Sequence, residues 1–173
     1  MAIQGLLDTM ASGLAAHNKL LGAALPRVSS EGVMVAIATE ALLEHHTTVR
    51  QDELPFEAEI ETERRDLRIT GGNDPYQLEF KSLWPGELGE CAGGIKRDLA
   101  KLAGVPNAYA IAFAYAFEKV PPGAPYRARG DLGSLLDDAT KLVERSPAAH
   151  SQVVTIEAHG CRARMQLVAW RAT

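Results

Sequence analysis

Two periodicities of apolar positions divide the chain. Ile3, Leu7, Met10 and Leu14 recur at helical spacing over residues 2–21, and Gly22 and Pro26 break the pattern. A second helix is predicted from Glu31 to His46, capped by Ser29 or Ser30, with Glu31 favourable in its first turn. Its run VMVAIATEALL is apolar on almost every side, as in a helix buried in a core. The period then drops to two. Phe56, Ala58 and Ile60 alternate with Glu57, Glu59 and Glu61. Leu67 and Ile69 alternate with Asp66 and Arg68, and Leu78 and Phe80 with Gln77, Glu79 and Lys81. Gly71-Gly72-Asn73-Asp74-Pro75 supplies the turn between those last two strands.

Pro85 and the glycines after it predict a loop, then a helix through Ile95, Leu99 and Leu102 that Gly104 and Pro106 stop. Residues 108–117 read AYAIAFAYAF, with large residues on one face and alanines on the other. That pattern suits a buried strand whose alanine side admits a close-packed helix. After a loop rich in Pro, Gly and Arg over 121–130, Leu135, Leu136, Ala139, Leu142 and Val143 mark an amphipathic helix. Residues 152–171 read as a hairpin turning at His159-Gly160. The order α-α-β-β-β-α-β-α-β-β predicts an α/β sandwich around a mixed sheet.

The hairpin of residues 66–81 gathers charge. In a half-buried hairpin the apolar sides of both strands face one core. Leu67 and Ile69 then share a face with Leu78 and Phe80, which puts Asp66, Glu79 and Lys81 together on the other. Two carboxylates with open coordination positions suit a hard cation such as Mg²⁺. Such an ion polarises a phosphodiester and lowers the pKa of a bound water, and a nearby Lys orients that water or offsets developing charge. The plain alternative is a solvated hairpin face with an ordinary cross-strand ion pair.

Composition narrows the picture. At 173 residues, 46% apolar and 23% charged, the chain fits one globular domain. Its two cysteines, Cys91 and Cys161, form no ligand-spaced pair. The first residues lack a basic stretch and carry Asp8, unlike a signal peptide, and no apolar run approaches the roughly 20 residues of a membrane helix. The cytoplasm is the expected compartment. A net charge of −4 excludes a generic polyanion binder, so a nucleic-acid surface has to be a local basic patch.

The segments RRDLRI, Glu79-Phe80-Lys81 and, in the following helix, IKRDLAKL resemble the PD-(D/E)XK nuclease superfamily. The resemblance implies a restriction-endonuclease-like αβββαβ core, here about residues 31–117, with an extra N-terminal helix and a C-terminal helix plus hairpin. It implies a Mg²⁺- or Mn²⁺-dependent nuclease acting on phosphodiesters, with DNA the expected substrate. By the same resemblance Asp66, Glu79 and the Phe80 carbonyl bind metal and Lys81 serves the attacking water. The superfamily often adds a Glu from its first helix. Glu40 is the candidate, with Glu44 its rival one turn on. Arg65 stands where the superfamily motif has Pro.

Lys96, Arg97, Lys101, Arg127 and Arg129, with Lys81, form a candidate phosphate track, although each of them singly reads as a solvated charge. Trp84 offers a surface on which a base could stack, or a packing residue beside the loop. Two other readings compete with the nuclease. One is a catalytically inactive nuclease-fold subunit that binds protein or nucleic acid, favoured by the acidic charge. The other is an unrelated metal-dependent hydrolase acting on a small molecule. A homodimer or a partner protein is compatible with each.

Overall fold

The computed structural model describes residues 2–26, 30–49, 57–60, 67–70, 75–120 and 126–173. In order, the elements are α1 (Ile3–Ala16), α2 (Asn18–Ala24), α3 (Ser30–Val49), β1 (Glu57–Ile60), β2 (Leu67–Thr70), β3 (Tyr76–Leu83), α4 (Leu88–Lys101), β4 (Ala108–Lys119), α5 (Leu132–Val143), β5 (Ala149–His150), β6 (Val154–Ala158) and β7 (Cys161–Arg171). Strands β1-β2-β3-β4-β7-β5 form the path of a seven-stranded mixed sheet, and β6 also pairs with β7. β1, β2 and β3 form an antiparallel meander, β3 and β4 run parallel with α4 as the crossover, and β7 returns antiparallel to β4.

Each sheet face has its own apolar cluster, as a strand buried on both sides requires. Leu67, Leu78, Phe80, Tyr109, Ile111, Phe113 and Leu167 face α1, α2 and α3, which contribute Leu7, Met10, Leu21, Met34 and Ile37. Ala110, Ala112, Ala114, Val168 and Trp170 face α4 and α5, which contribute Ile95, Leu99, Leu135 and Val143. The alanine side of β4 thus seats helices close to the sheet, as its pattern predicts.

Three departures from the sequence expectation have local causes. The first helix does not run unbroken to residue 21. At His17 (φ −95°, ψ 29°) both the backbone N–H and Nδ1 lie within hydrogen-bond reach of the Gly13 carbonyl, at 3.2 and 2.9 Å, and α2 starts afresh from there. The glycines after Pro85 are not a loop. Only Pro85–Glu87 forms a 3-10 turn, and α4 begins at Leu88. Gly86 serves close approach: a Cβ there would lie 2.3 Å from the Trp84 ring. Trp84 itself packs beside the core of the α1–α3 face. The third departure is β5, a two-residue strand without any period of its own. The C-terminal hairpin follows its pattern: His159 and Gly160, both at positive φ, join Ala158 to its partner Cys161 in a two-residue turn. Cys91 and Cys161 are both free.

Gly13 marks where α1 and α3 touch. A Cβ there would stand 2.3 Å from the Ala41 Cβ. Gly→Ala inside a helix ordinarily stabilises by roughly 0.5–1 kcal/mol. Here Gly13→Ala is expected to destabilise by about 1–3 kcal/mol through overpacking, read as a lower urea midpoint at unchanged slope.

Asp131 caps α5, accepting the Ser134 N–H at 2.8 Å and its hydroxyl at 3.1 Å. The Ser134 backbone and side-chain bonds hold the Asp131 carboxyl below its ordinary pKa. A lowered carboxyl contributes stability above the ordinary carboxylate range and loses it as pH falls through the lowered value. Asp131→Asn keeps an acceptor and removes the charge. The Tm gap between wild type and variant is therefore expected near neutral pH and should close in acid, as thermal melts across pH will read.

Candidate active site

Glu79 and Lys81 stand in parallel register with Ala110 and Ala112, on the sheet face that α4 covers. Single methyl groups beside them let α4 settle low, and α4 brings Asp98 and Lys101 one turn apart on one side of the helix. Glu79 is only 3% exposed. Its Oε1 accepts the Lys101 ammonium. The Lys81 Nζ lies 3.6 Å from Asp98 Oδ2 and 3.9 Å from Glu31 Oε1. Its stem crosses α4 at Gly94, where a Cβ would approach Cδ to 3.3 Å. The other Glu31 oxygen accepts the Ser82 backbone N–H at 2.6 Å. Glu31 thereby ties the start of α3 to the side of β3 away from β4, and alternation turns the Phe80 carbonyl to that same side.

The result is a compact set of acids and bases on β3, α4 and the first turn of α3. A carboxylate as buried as Glu79 is costly unless it is paired and hydrogen-bonded, and the Lys101 ammonium meets both needs. Hydrogen bonds between charged partners are about twice as strong as neutral ones.

The residues expected in the site distribute unevenly. Asp66 lies outside the described residues, as do Glu61, Glu63 and Arg65. Glu79 and Lys81 share a face, as their parity requires. The Phe80 ring points to the opposite face and stacks on Phe113 at 5.3 Å. Glu40 does not join the cluster. α3 packs on the Phe80 face through Met34, Ile37, Ala38 and Leu42, with the sheet between it and Glu79. Glu40 lies on the flank of that stripe, its side chain 57% exposed and 3.7 Å from His17 Nε2. Glu44 is exposed on the same helix.

Among the expected phosphate contacts, Lys101 is committed to Glu79, and Lys96 turns away to Glu144 at 3.2 Å. Arg97, Arg127 and Arg129 are exposed. Arg127 flanks Gly86, and Gly130 meets Pro85, so their segment packs at the turn between β3 and α4. The side chains of His45, His46, Glu57 and Glu59 are not among those described.

Sequence reasoning missed Asp98 and Glu31. Asp98 follows Ile95 by three residues and precedes Leu102 by four, so the helical period puts a carboxylate on the buried side of α4. That signal was present. Glu31 reads as an ordinary first-turn acid, and only the tertiary structure brings it to β3. Among the described residues no three His, Cys, Asp or Glu side chains gather as a metal set, and no helix is long and apolar enough to cross a membrane. Compared with family models, with curated proteins and with solved structures, the chain matches none of them.

Proposed function

We propose that the chain is a divalent-metal-dependent nuclease hydrolysing phosphodiester bonds, with DNA as its substrate. The observation that carries this reading is a nearly buried carboxylate, Glu79, two residues from Lys81 on one strand face, with further acids and bases converging from α4 and α3. The order α3-β1-β2-β3-α4-β4 supports it, because it is the αβββαβ order that the motif resemblance implies.

Among the described residues Glu79 and the Phe80 carbonyl offer the oxygen ligands that the reading asks of a magnesium site. Mg²⁺ takes hard oxygen ligands, commonly one or two carboxylates with waters and substrate phosphate making up the rest. Glu79, the Phe80 carbonyl and Asp66 would hold it. A bound Mg²⁺ would supply positive charge to the phosphodiester and lower the pKa of a coordinated water. Lys81 would orient the attacking water and offset negative charge growing on the phosphorus oxygens. Asp98 and Glu31 would hold the Lys81 ammonium in place, and Gly94 would give its stem room. Arg97, Arg127 and Arg129 would meet backbone phosphates flanking the cut.

A specific observation favours a second reading, a nuclease-fold subunit without catalysis. Among the described residues Lys101 pairs with Glu79, and Lys81 with Asp98 and Glu31, so each of these carboxylates already has a cation beside it. Cleavage of supercoiled plasmid by pure protein with Mg²⁺ or Mn²⁺, and its loss in Glu79→Gln, separates the two. Wild-type protein that cuts neither single- nor double-stranded DNA with either ion ends the enzymatic reading.

A further inference from the structure

Lys101 is the last residue of α4, and its side chain is 37% exposed, whereas the Glu79 carboxylate that it contacts is almost wholly enclosed. One partner of this pair is fixed in the sheet. The other hangs on a four-carbon stem at a helix end and has solvent within reach. We propose that Lys101 is a built-in stand-in for the divalent ion: it neutralises Glu79 in the metal-free protein and is displaced when the ion binds. The proposal rests on the reading that Glu79 is a metal ligand.

The argument is one of competing cations at a single carboxylate. Glu79 needs a counter-charge at all times, since an enclosed carboxylate without one is unfavourable. The ammonium and the ion draw on the same enclosed carboxylate, and two cations at contact distance repel. Lys101 is the one free to leave. Once released it remains beside the C-terminal carbonyls of α4, where a cation is favoured. The exchange keeps Glu79 neutralised in both states and moves no backbone.

Two measurements on the intact chain test this, with Mn²⁺ alone as probe. The first follows acetylation of wild-type lysines by an N-hydroxysuccinimide ester, quantified peptide by peptide. Saturating Mn²⁺ is expected to speed modification of Lys101 and leave Lys96, paired with Glu144 at a distance, unchanged. The second measures Mn²⁺ affinity at pH 8. Lys101→Met, which keeps the stem and removes the charge, is expected to bind about tenfold more tightly than wild type, and Glu79→Gln at least about tenfold more weakly. Lys101 reactivity that ignores Mn²⁺, or a Lys101→Met affinity no better than wild type, overturns the exchange while leaving Glu79 as a ligand. Wild-type protein that binds no Mn²⁺, or a Glu79→Gln variant that binds it normally, overturns the metal site itself and the exchange with it.

Discussion

If the chain is the nuclease proposed, Lys81→Ala is expected to lose DNA cleavage by about a hundredfold or more while binding Mn²⁺ no more weakly than wild type. The reasoning is a separation of charges. Glu79 supplies the negative charge that attracts a cation, so its loss weakens binding. Lys81 is itself a cation and a poor metal ligand, so its loss does not. In the proposed role its removal would leave the attacking water and the developing phosphorane charge less stabilised, a loss of about 3–4 kcal/mol by analogy with deleting one preorganised donor. On the transition-state scale that is about two to three decades in rate. Lys81 also neutralises Asp98 and Glu31, so the melting temperature of each variant must be recorded beside its rate. Lys81→Met keeps the stem over Gly94 and is expected to be as inactive as the alanine. Plasmid nicking under single-turnover conditions reads both variants. If Lys81→Met cuts as fast as wild type, the assignment of this site is wrong even if the protein is a nuclease.

The second large effect is on stability. Trp170 is fully buried, lies opposite Ala110 in the β4–β7 register, and donates its indole N–H to the Arg145 carbonyl at 2.9 Å. Ala110 is in turn the neighbour of Glu79. Glu79, Ala110 and Trp170 therefore form one row across the sheet beneath α4 and α5. Trp170→Ala removes the largest side chain of that face and leaves a cavity, at a cost of about 3–5 kcal/mol. For a chain of this size each kcal/mol moves Tm by roughly 2–4 °C, so a fall of about 6–20 °C is expected. Calorimetry decides it. A fall of less than about 3 °C, below the lowest figure on that scale, would mean that the site collapses around the missing ring.

Much of this architecture is legible in residue periodicity because it depends on which side of a strand a residue occupies. The alternation of Leu78 and Phe80 with Glu79 and Lys81 sorts β3 into two faces, and the Tyr109-to-Phe117 alternation does the same for β4. The β2–β3 register, Leu67 opposite Leu78, agrees with the matched apolar sides. Helix contents were harder to read for two reasons. α3 is apolar nearly all round, so its wheel does not say which side meets the sheet, and Glu40, the acid expected in the site, lies beside His17 instead. In α4, glycines that ordinarily signal a loop sit within the helix, and Gly94 does so where the Lys81 stem crosses. Contacts between distant segments leave no period at all. Nothing near Glu31 in sequence announces that its carboxylate will bond to Ser82.

The alanines of β4 act as shims. Their thickness decides how deep α4 sits, and the depth of α4 decides whether Asp98 and Lys101 reach β3. The tuning of the charged cluster is thus delegated to residues that carry no charge and touch no substrate. Adding a few methyl groups at Ala110 or Ala112 would raise the helix and stretch both acid–base pairs together, while every ionisable residue stayed in place. A chain built in this way can gain or lose the coupling between its acids and bases through substitutions that a search confined to reactive side chains would pass over.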